Sequence, residues 1–331
     1  MGTAMASSDI PTMIPPPGAP AFLAAHGWGD AEILPLAGDA SFRRYFRVVA
    51  PGRAAVLMDA PPPHEDPRPF LHVAGHLNSL GFAAPAILAS DLAEGLVLIE
   101  DFGDARMAET IAAEPHREEE VYAKAIDLVA ALHRYPPAPL RPYDLAEYQR
   151  EAGLFTEWYA PAVGLEVDAE AYRTAWDAAL APLAHVRGVT VLRDYHAENV
   201  MLLKDGRLGL LDFQDALAGH PAYDLVSLLQ DARRDVPPAI EAAMLDRYEA
   251  AAPLDRAAYA ILGAQRNAKI LGIFTRLWRR DGKPRYLAYQ PRVWRYLERD
   301  LAHPALAPVA AWFDTHVPAS ARATFWSDAA E

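Results

Sequence analysis

The chain has 331 residues, 52% hydrophobic and 23% charged, with no cysteine and a formal net charge of −13. That composition excludes a disordered or collagen-like chain, a disulfide scaffold, zinc–thiolate and iron–sulfur centres and a cysteine nucleophile. It suffices for a sizeable core in about two domains or lobes, argues against a general nucleic-acid or anionic-membrane partner, and contains no apolar run near the ~18 residues of a membrane span.

Residues 1–20 end in a Pro-rich stretch without a basic segment followed by an apolar one, and read as a disordered tail. From 21 to 103 the chain alternates short apolar runs with Gly, Pro and Asp. This predicts strands at Ile33–Leu36, Phe42–Val49, Ala54–Met58, Ala84–Leu88 and Leu96–Glu100. Between the third and fourth, Phe70, Val73, Leu77 and Leu80 lie at helix spacing behind Pro69. From 104 to 331 the pattern is mostly helical, with helices expected at Glu118–His133, 145–160, 169–184, 223–231, 238–250, 255–280 and 290–301. One β-rich island interrupts it, at Thr190–Arg193, Val200–Leu203 and Arg207–Leu211, the last two joined through Asp205-Gly206. The expected fold is α+β and two-lobed: a small β-rich N-lobe (21–103) and a larger helical C-lobe (104–331).

The island carries the chemistry. Asp194 and Asn199 stand five apart, and Asp212 follows thirteen residues later. An acid, an amide and a second acid on loops beside short strands suit Mg²⁺-dependent phosphoryl transfer. One carboxylate orients the attacking hydroxyl and takes its proton. The amide oxygen and the second carboxylate are hard oxygen ligands for Mg²⁺.

The stretch Leu192–Asp215, with Gly219-His220-Pro221-Ala222-Tyr223-Asp224-Leu225, resembles the aminoglycoside phosphotransferase and choline kinase-like families. The resemblance implies a protein-kinase-like fold and phosphorylation of a small molecule by ATP. It implies Asp194 as catalytic base, Asn199 and Asp212 as Mg²⁺ ligands, and Asp224 as a brace of the catalytic loop. Asp101-Phe102-Gly103 precedes that loop and so is no metal motif; with Glu100 it reads as a hinge whose backbone groups meet adenine.

The loop expected over the nucleotide phosphates is Gly38–Arg47, with Ser41, Phe42, Arg43 and Arg44 as nucleotide-binding candidates. It has one glycine where a Gly-rich loop has three. The strand that carries the phosphate-binding lysine in kinases, Ala55–Asp59, has no lysine, and the next helix has no acid to pair with one. Lysine occurs only at 124, 204, 269 and 283. Arg43, Arg44 and Arg47 are the cations available to replace it.

Gly38–Arg47, Asp59-Ala60-Pro61-Pro62-Pro63, Leu192–Asp215 and Leu271–Tyr296 further resemble the bacterial anomeric kinases for N-acetylmuramate and N-acetylglucosamine. That resemblance implies transfer to the sugar C1 hydroxyl, in cell-wall recycling. Acceptor contacts are sought on two helices, at Glu151 and at Arg266, Asn267 and Lys269, polar groups on an otherwise apolar helix that read as an acceptor pocket or a buried polar network, with Arg266 or Arg276 for the lactyl carboxylate. The expected ligands are a small sugar acceptor, nucleotide and Mg²⁺; the expected setting is a cytoplasmic monomer. Two rival readings stay open: an aminoglycoside or other amine/alcohol kinase of this fold, and a pseudokinase that binds without turnover.

Overall fold

The computed structural model of the protein describes residues 13–36, 42–186 and 188–322. The chain divides into two compact units. Among the described residues, the first comprises 13–36, 42–105 and 201–215, and the second comprises 106–186, 188–200 and 216–322.

The first unit is built on a five-stranded antiparallel sheet in the order β1-β2-β3-β5-β4. Its strands are β1 (Glu32–Pro35), β2 (Arg44–Ala50), β3 (Arg53–Asp59), β4 (Ile87–Asp91) and β5 (Leu96–Glu100). Phe46, Leu57 and Leu98 stand opposite one another across β2, β3 and β5, as do Val48 and Ala55. Alternation therefore puts them on one face, where they pack with Phe22, Leu23 and Trp28 of the N-terminal segment. Helix α1 (Ala19–Ala25) supplies the first two of these. Residues 13–20, expected as disordered tail, are thus in part ordered: Ala19 is fully buried and Met13 packs on this core. Apolar side chains at Met13, Ala19, Phe22 and Leu23 outweigh the Pro-rich composition around them. The rest of that expectation, residues 1–12, lies outside the described residues.

Helix α2 (Arg68–Ser79) buries the expected stripe Phe70, Val73 and Leu77. β4 begins three residues later than the pattern suggested; Glu100 N–H bonds to the Ala86 carbonyl just before it. Pro85 lacks the donor a strand needs there.

The hairpin β7 (Val200–Leu202) and β8 (Leu208–Leu210) belongs to this first unit and not to the helical one. Leu210 N–H bonds to the Ala83 carbonyl and Leu202 N–H to that of Ala105. Phe102 packs so closely on Gly209 that a Cβ there would lie 2.7 Å from its ring. Periodicity carries no information on which partner a hairpin finds, so this assignment was not legible beforehand.

The second unit holds the helices α3 (Met107–Ala113), α4 (Glu118–Leu132), α5 (Leu145–Leu154), α6 (Ala160–Ala162), α7 (Ala169–Leu180), α8 (Ala222–Leu229), α9 (Pro238–Ala251), α10 (Arg256–Arg279), α11 (Gln290–Leu301) and α12 (Ala307–His316). Asp144, Asp168 and Asp255 cap α5, α7 and α10 by accepting from backbone N–H groups. A π-helical turn, Phe155–Tyr159, links α5 to α6. The 24-residue α10 packs against α5, α8 and α11. Gly272 is where α10 meets α5, since a Cβ there would lie 2.3 Å from the Leu154 carbonyl oxygen. A short two-stranded pairing, β6 (Val189–Val191) with β9 (Leu217–Gly219), carries the segment that follows β6.

Candidate active site

In the second unit, the chain leaves β6 and turns sharply at Arg193, whose φ is +69°. A non-glycine residue in the left-handed region needs compensating contacts, and Arg193 has them on every side. Its N–H donates to Asp224 Oδ1 at 2.9 Å, and the neighbouring Leu192 N–H donates to Asp224 Oδ2 at 2.8 Å. Its carbonyl accepts from Ser227 Oγ at 3.0 Å. Its guanidinium pairs with Glu151. Asp224 is fully buried in the first turn of α8, with the His133 ring nitrogen 3.7 Å away. Asp224 thus ties down the two successive N–H groups that precede Asp194.

Asp194 follows, half-buried, and its carbonyl accepts from Asn199 Nδ2 at 3.0 Å. That bond commits the amide nitrogen of Asn199 to the loop and makes its oxygen the group suited to a cation. His196 is buried between them. Arg233 donates to its Nε2 at 3.0 Å, and burial followed by the Arg233 charge holds its pKa down, at about 3. The ring is neutral, with its proton on Nδ1. Arg233 also bonds Glu198 at 3.0 Å.

Beside Arg193, Glu151 is 1% exposed. It accepts from Tyr143 OH and meets Lys269 Nζ at 2.8 Å. Burial would raise its pKa, but the Lys269 and Arg193 charges overrule it and hold the carboxyl down, at about 2. Lys269 also donates to Tyr223 OH at 3.2 Å. Sequence reasoning had Glu151 as an acceptor contact. Its place is inside an ion cluster behind the Leu192–Asn199 loop, with its oxygens already engaged. Asn267, read in the sequence as part of a buried polar network or an acceptor pocket, is fully buried and donates to Gln230 Oε1 at 2.7 Å, the buried-network arrangement. It shares that polar network with Asp300, whose carboxyl burial pushes well up. Arg266 is 4% exposed on α10, close enough for its charge to depress His196 further. Lys269, grouped in the sequence with Arg266 and Asn267 as a buried polar network or an acceptor pocket, is the cation that pairs with Glu151. It is one of only four lysines and stands on an apolar helix.

In the first unit, Asp212 follows β8 with φ +57° and accepts from Gln214 Nε2 at 2.8 Å. The next residue, Phe213, stacks on Phe70 of α2 at 5.1 Å between ring centroids. The three arginines of β2 and its approach have separate fates. Arg43 is 8% exposed, 3.5 Å from Glu65; burial works to lower its pKa, and Tyr45, Asp212, Glu65 and Asp215 together raise it. Arg44 is held by Asp59, its cross-strand partner, at 2.8 Å. Arg47 bonds Asp101 at 2.7 Å and Asp104 at 2.8 Å. Of the three, only Arg43 faces the Asp212 loop. Arg44, expected at the nucleotide, is engaged in the sheet by register, which residue type alone cannot reveal.

Phe42 is exposed and stacks on His64 at 5.2 Å. Glu100 is tied to Ala86 through both backbone and side chain, and Phe102 is the ring seated on Gly209. Ser41 lies outside the described residues. Among the described residues no group of three or more His, Asp or Glu side chains forms a metal site by itself. Mg²⁺ takes one or two protein oxygens and completes its shell with phosphate and water. Asn199 in the second unit and Asp212 in the first each carry a hard oxygen of the kind Mg²⁺ takes.

Comparison with known proteins gives a consistent result. The model of the family described as "APH: Phosphotransferase enzyme family" matches residues 32–262. A protein of Caulobacter vibrioides named N-acetylmuramate/N-acetylglucosamine kinase is 42% identical, covering 91% of this chain and 96% of its own. A protein of the same name from Pseudomonas aeruginosa is 40% identical, over 87% of this chain and 90% of its own. Among solved structures, the choline kinase LicA of Streptococcus pneumoniae has a TM-score of 0.59 at 15% identity, covering 85% of this chain and 94% of that one. A choline/ethanolamine kinase family protein of Mesorhizobium loti reaches 0.60 at 19% identity, over 88% of this chain and 98% of that one. These two likenesses are of fold.

Proposed function

The chain belongs to the phosphotransferase enzyme family, and we propose that it is a kinase that transfers the γ-phosphoryl group of ATP to the C1 hydroxyl of N-acetylmuramate or N-acetylglucosamine. The observation that carries this reading is the braced loop Leu192–Asn199, with Asp224 gripping the two N–H groups before Asp194. The names of relatives at 37–42% identity supply the acceptor class.

Asp194 accepts the C1 hydroxyl proton as the O1–Pγ bond forms and the bond from Pγ to the bridging oxygen of ADP breaks. An anomeric hydroxyl is more acidic than an ordinary alcohol, so a carboxylate is an adequate base. Asn199 and Asp212 would each offer an oxygen to Mg²⁺, which when bound would supply charge neutralisation at the phosphates. Arg43 serves the phosphates in place of the absent strand lysine, beside Ser41 and Phe42, and the backbone near Glu100 and Phe102 meets adenine. Residues 13–105 with 201–215 carry these nucleotide contacts; the helical unit carries base and acceptor. Positioning does most of the remaining work, since effective molarity from orientation is worth roughly 7–11 kcal/mol. Dependence on ATP fits a cytoplasmic setting.

The test is turnover of ATP/Mg²⁺ with N-acetylmuramate, N-acetylglucosamine, plain hexoses and an aminoglycoside, read by ³¹P NMR. A glycosyl 1-phosphate signal that vanishes in Asp194→Asn is the expected result. Phosphate on another hydroxyl, or on the antibiotic, overturns the acceptor assignment. Nucleotide binding without turnover of any acceptor overturns the kinase reading in favour of a pseudokinase.

A further inference from the structure

The three arginines around β2 each meet a different acid. Arg44 takes Asp59 within the sheet, and Arg47 takes Asp101 and Asp104 in the segment that leaves it. Arg43 takes Glu65, from the loop between β3 and α2. Glu65 stands three residues before α2, a helix without an acid of its own. It spends its two oxygens on adjoining residues. Oε1 accepts from the Phe42 N–H at 3.2 Å, and Oε2 lies 3.5 Å from Arg43 Nε. One carboxylate thus fixes the backbone just ahead of Arg43 and the guanidinium that follows. The contact is made at Nε, and the terminal nitrogens of a guanidinium are a pair that can fork onto a phosphate.

The loop that carries Glu65 is itself held. Ala60 N–H donates to the Gly95 carbonyl at 2.8 Å, and the His64 and Glu65 N–H groups donate to the Pro61 carbonyl at 3.0 and 3.1 Å. Gly95 stands at φ +70° and lets the two segments close, since a Cβ there would run into the Ala60 oxygen. Further on, Phe70 of α2 stacks on Phe213, the residue after Asp212. The stretch from Glu65 to Phe70 therefore touches both the proposed phosphate cation and the neighbour of Asp212. The pair is sheltered, with side chains 9% and 19% exposed, so solvent screens it less than a surface pair.

A carboxylate close to a phosphate site repels the polyanion, so its presence calls for a compensating gain. An arginine side chain has several rotatable bonds and loses them at an entropic cost when it binds. A carboxylate that already holds it in one direction removes that cost.

We propose that Glu65 is the positioning residue for Arg43, so that the pair Arg43–Glu65 performs at the nucleotide phosphates the task that a strand lysine and a helix glutamate share in kinases. This rests on the kinase reading above and adds the acid that aims its phosphate cation.

The test is calorimetric binding of ATP with Mg²⁺, and of adenosine, to Glu65→Gln, which keeps an oxygen for the Phe42 N–H and removes the charge. Coulomb's law alone predicts tighter ATP binding once a negative charge is gone. Loss of aim predicts the opposite: the Kd for ATP should rise by about fivefold or more, with that for adenosine within about twofold. In the Arg43→Met background the same substitution should move the Kd for ATP by less than about twofold, because no guanidinium is left to aim. An unchanged or tighter Kd for ATP in a folded Glu65→Gln overturns the proposal. So does an equal loss of adenosine binding, or an equal loss with and without Arg43. If Glu65→Gln does not fold, Glu65→Asp decides by the same criteria, with a threefold rise as the threshold. These readings need no acceptor. If the protein binds ATP and phosphorylates nothing, the kinase reading fails while a weakened Glu65→Gln still supports the pair. A wild type that binds no ATP overturns both.

Discussion

The carboxylate of Glu151 and the ammonium of Lys269 meet at 2.8 Å in the interior of the helical unit, directly behind the residue that precedes the proposed base. Glu151 thereby balances two cations, Lys269 and Arg193.

Glu151→Gln should leave two buried cations without their counter-charge. Removing one partner of a buried pair costs about 3–5 kcal/mol, read as a shift of the urea midpoint at constant slope. The pH dependence follows from the depressed carboxyl. Its folded pKa of about 2 lies below an unfolded value of about 4.3. The stabilisation is therefore complete above the unfolded value and is lost as pH falls toward about 2. It amounts to about 3 kcal/mol. The glutamine variant should show a correspondingly flatter loss of stability below pH 4.

Asp224→Asn keeps the volume of the brace but turns an amide donor toward one of the two N–H groups it now accepts from. Each buried group left unpaired costs roughly 1–3 kcal/mol. Because the two N–H groups flank the turn at Arg193, kcat should fall at least tenfold. The KM for ATP should change much less. Steady-state kinetics beside a thermal melt separates the two effects. Equal changes in kcat and KM would remove the brace from the mechanism.

Arg43 and Arg44 adjoin in sequence but differ in surroundings, and their variants should differ too. Arg43→Met removes the cation facing Asp212 and Asp215 and should raise the KM for ATP about tenfold. Arg44→Met removes the partner of the buried Asp59 and should lower stability while leaving the KM for ATP within about twofold. ATP titrations on the two variants check this. Identical behaviour would mean that neither arginine replaces the strand lysine.

Much of this site was legible in the chain before folding. The spacing of Asp194, Asn199 and Asp212, and Asp224 in its downstream motif, are local facts of the chain. The strand and helix periods were likewise readable, because a buried face recurs every two or every 3.6 residues. The absence of lysine from β3 was equally plain.

Tertiary structure decided which polar groups face one another. Glu151 and Asn267 looked like acceptor contacts because polar residues on apolar helices mark either a pocket or a buried network, and composition does not separate the two. The partners that turned them into networks lie far along the chain: Lys269 118 residues from Glu151, and Gln230 37 residues from Asn267. The hairpin after Asn199 joined the first unit through Ala83 and Ala105, again across long separations. Residue type and period report on a segment's own surface. The charge or hydrogen-bond partner that surface meets depends on chain reversals elsewhere, and only the folded chain contains them.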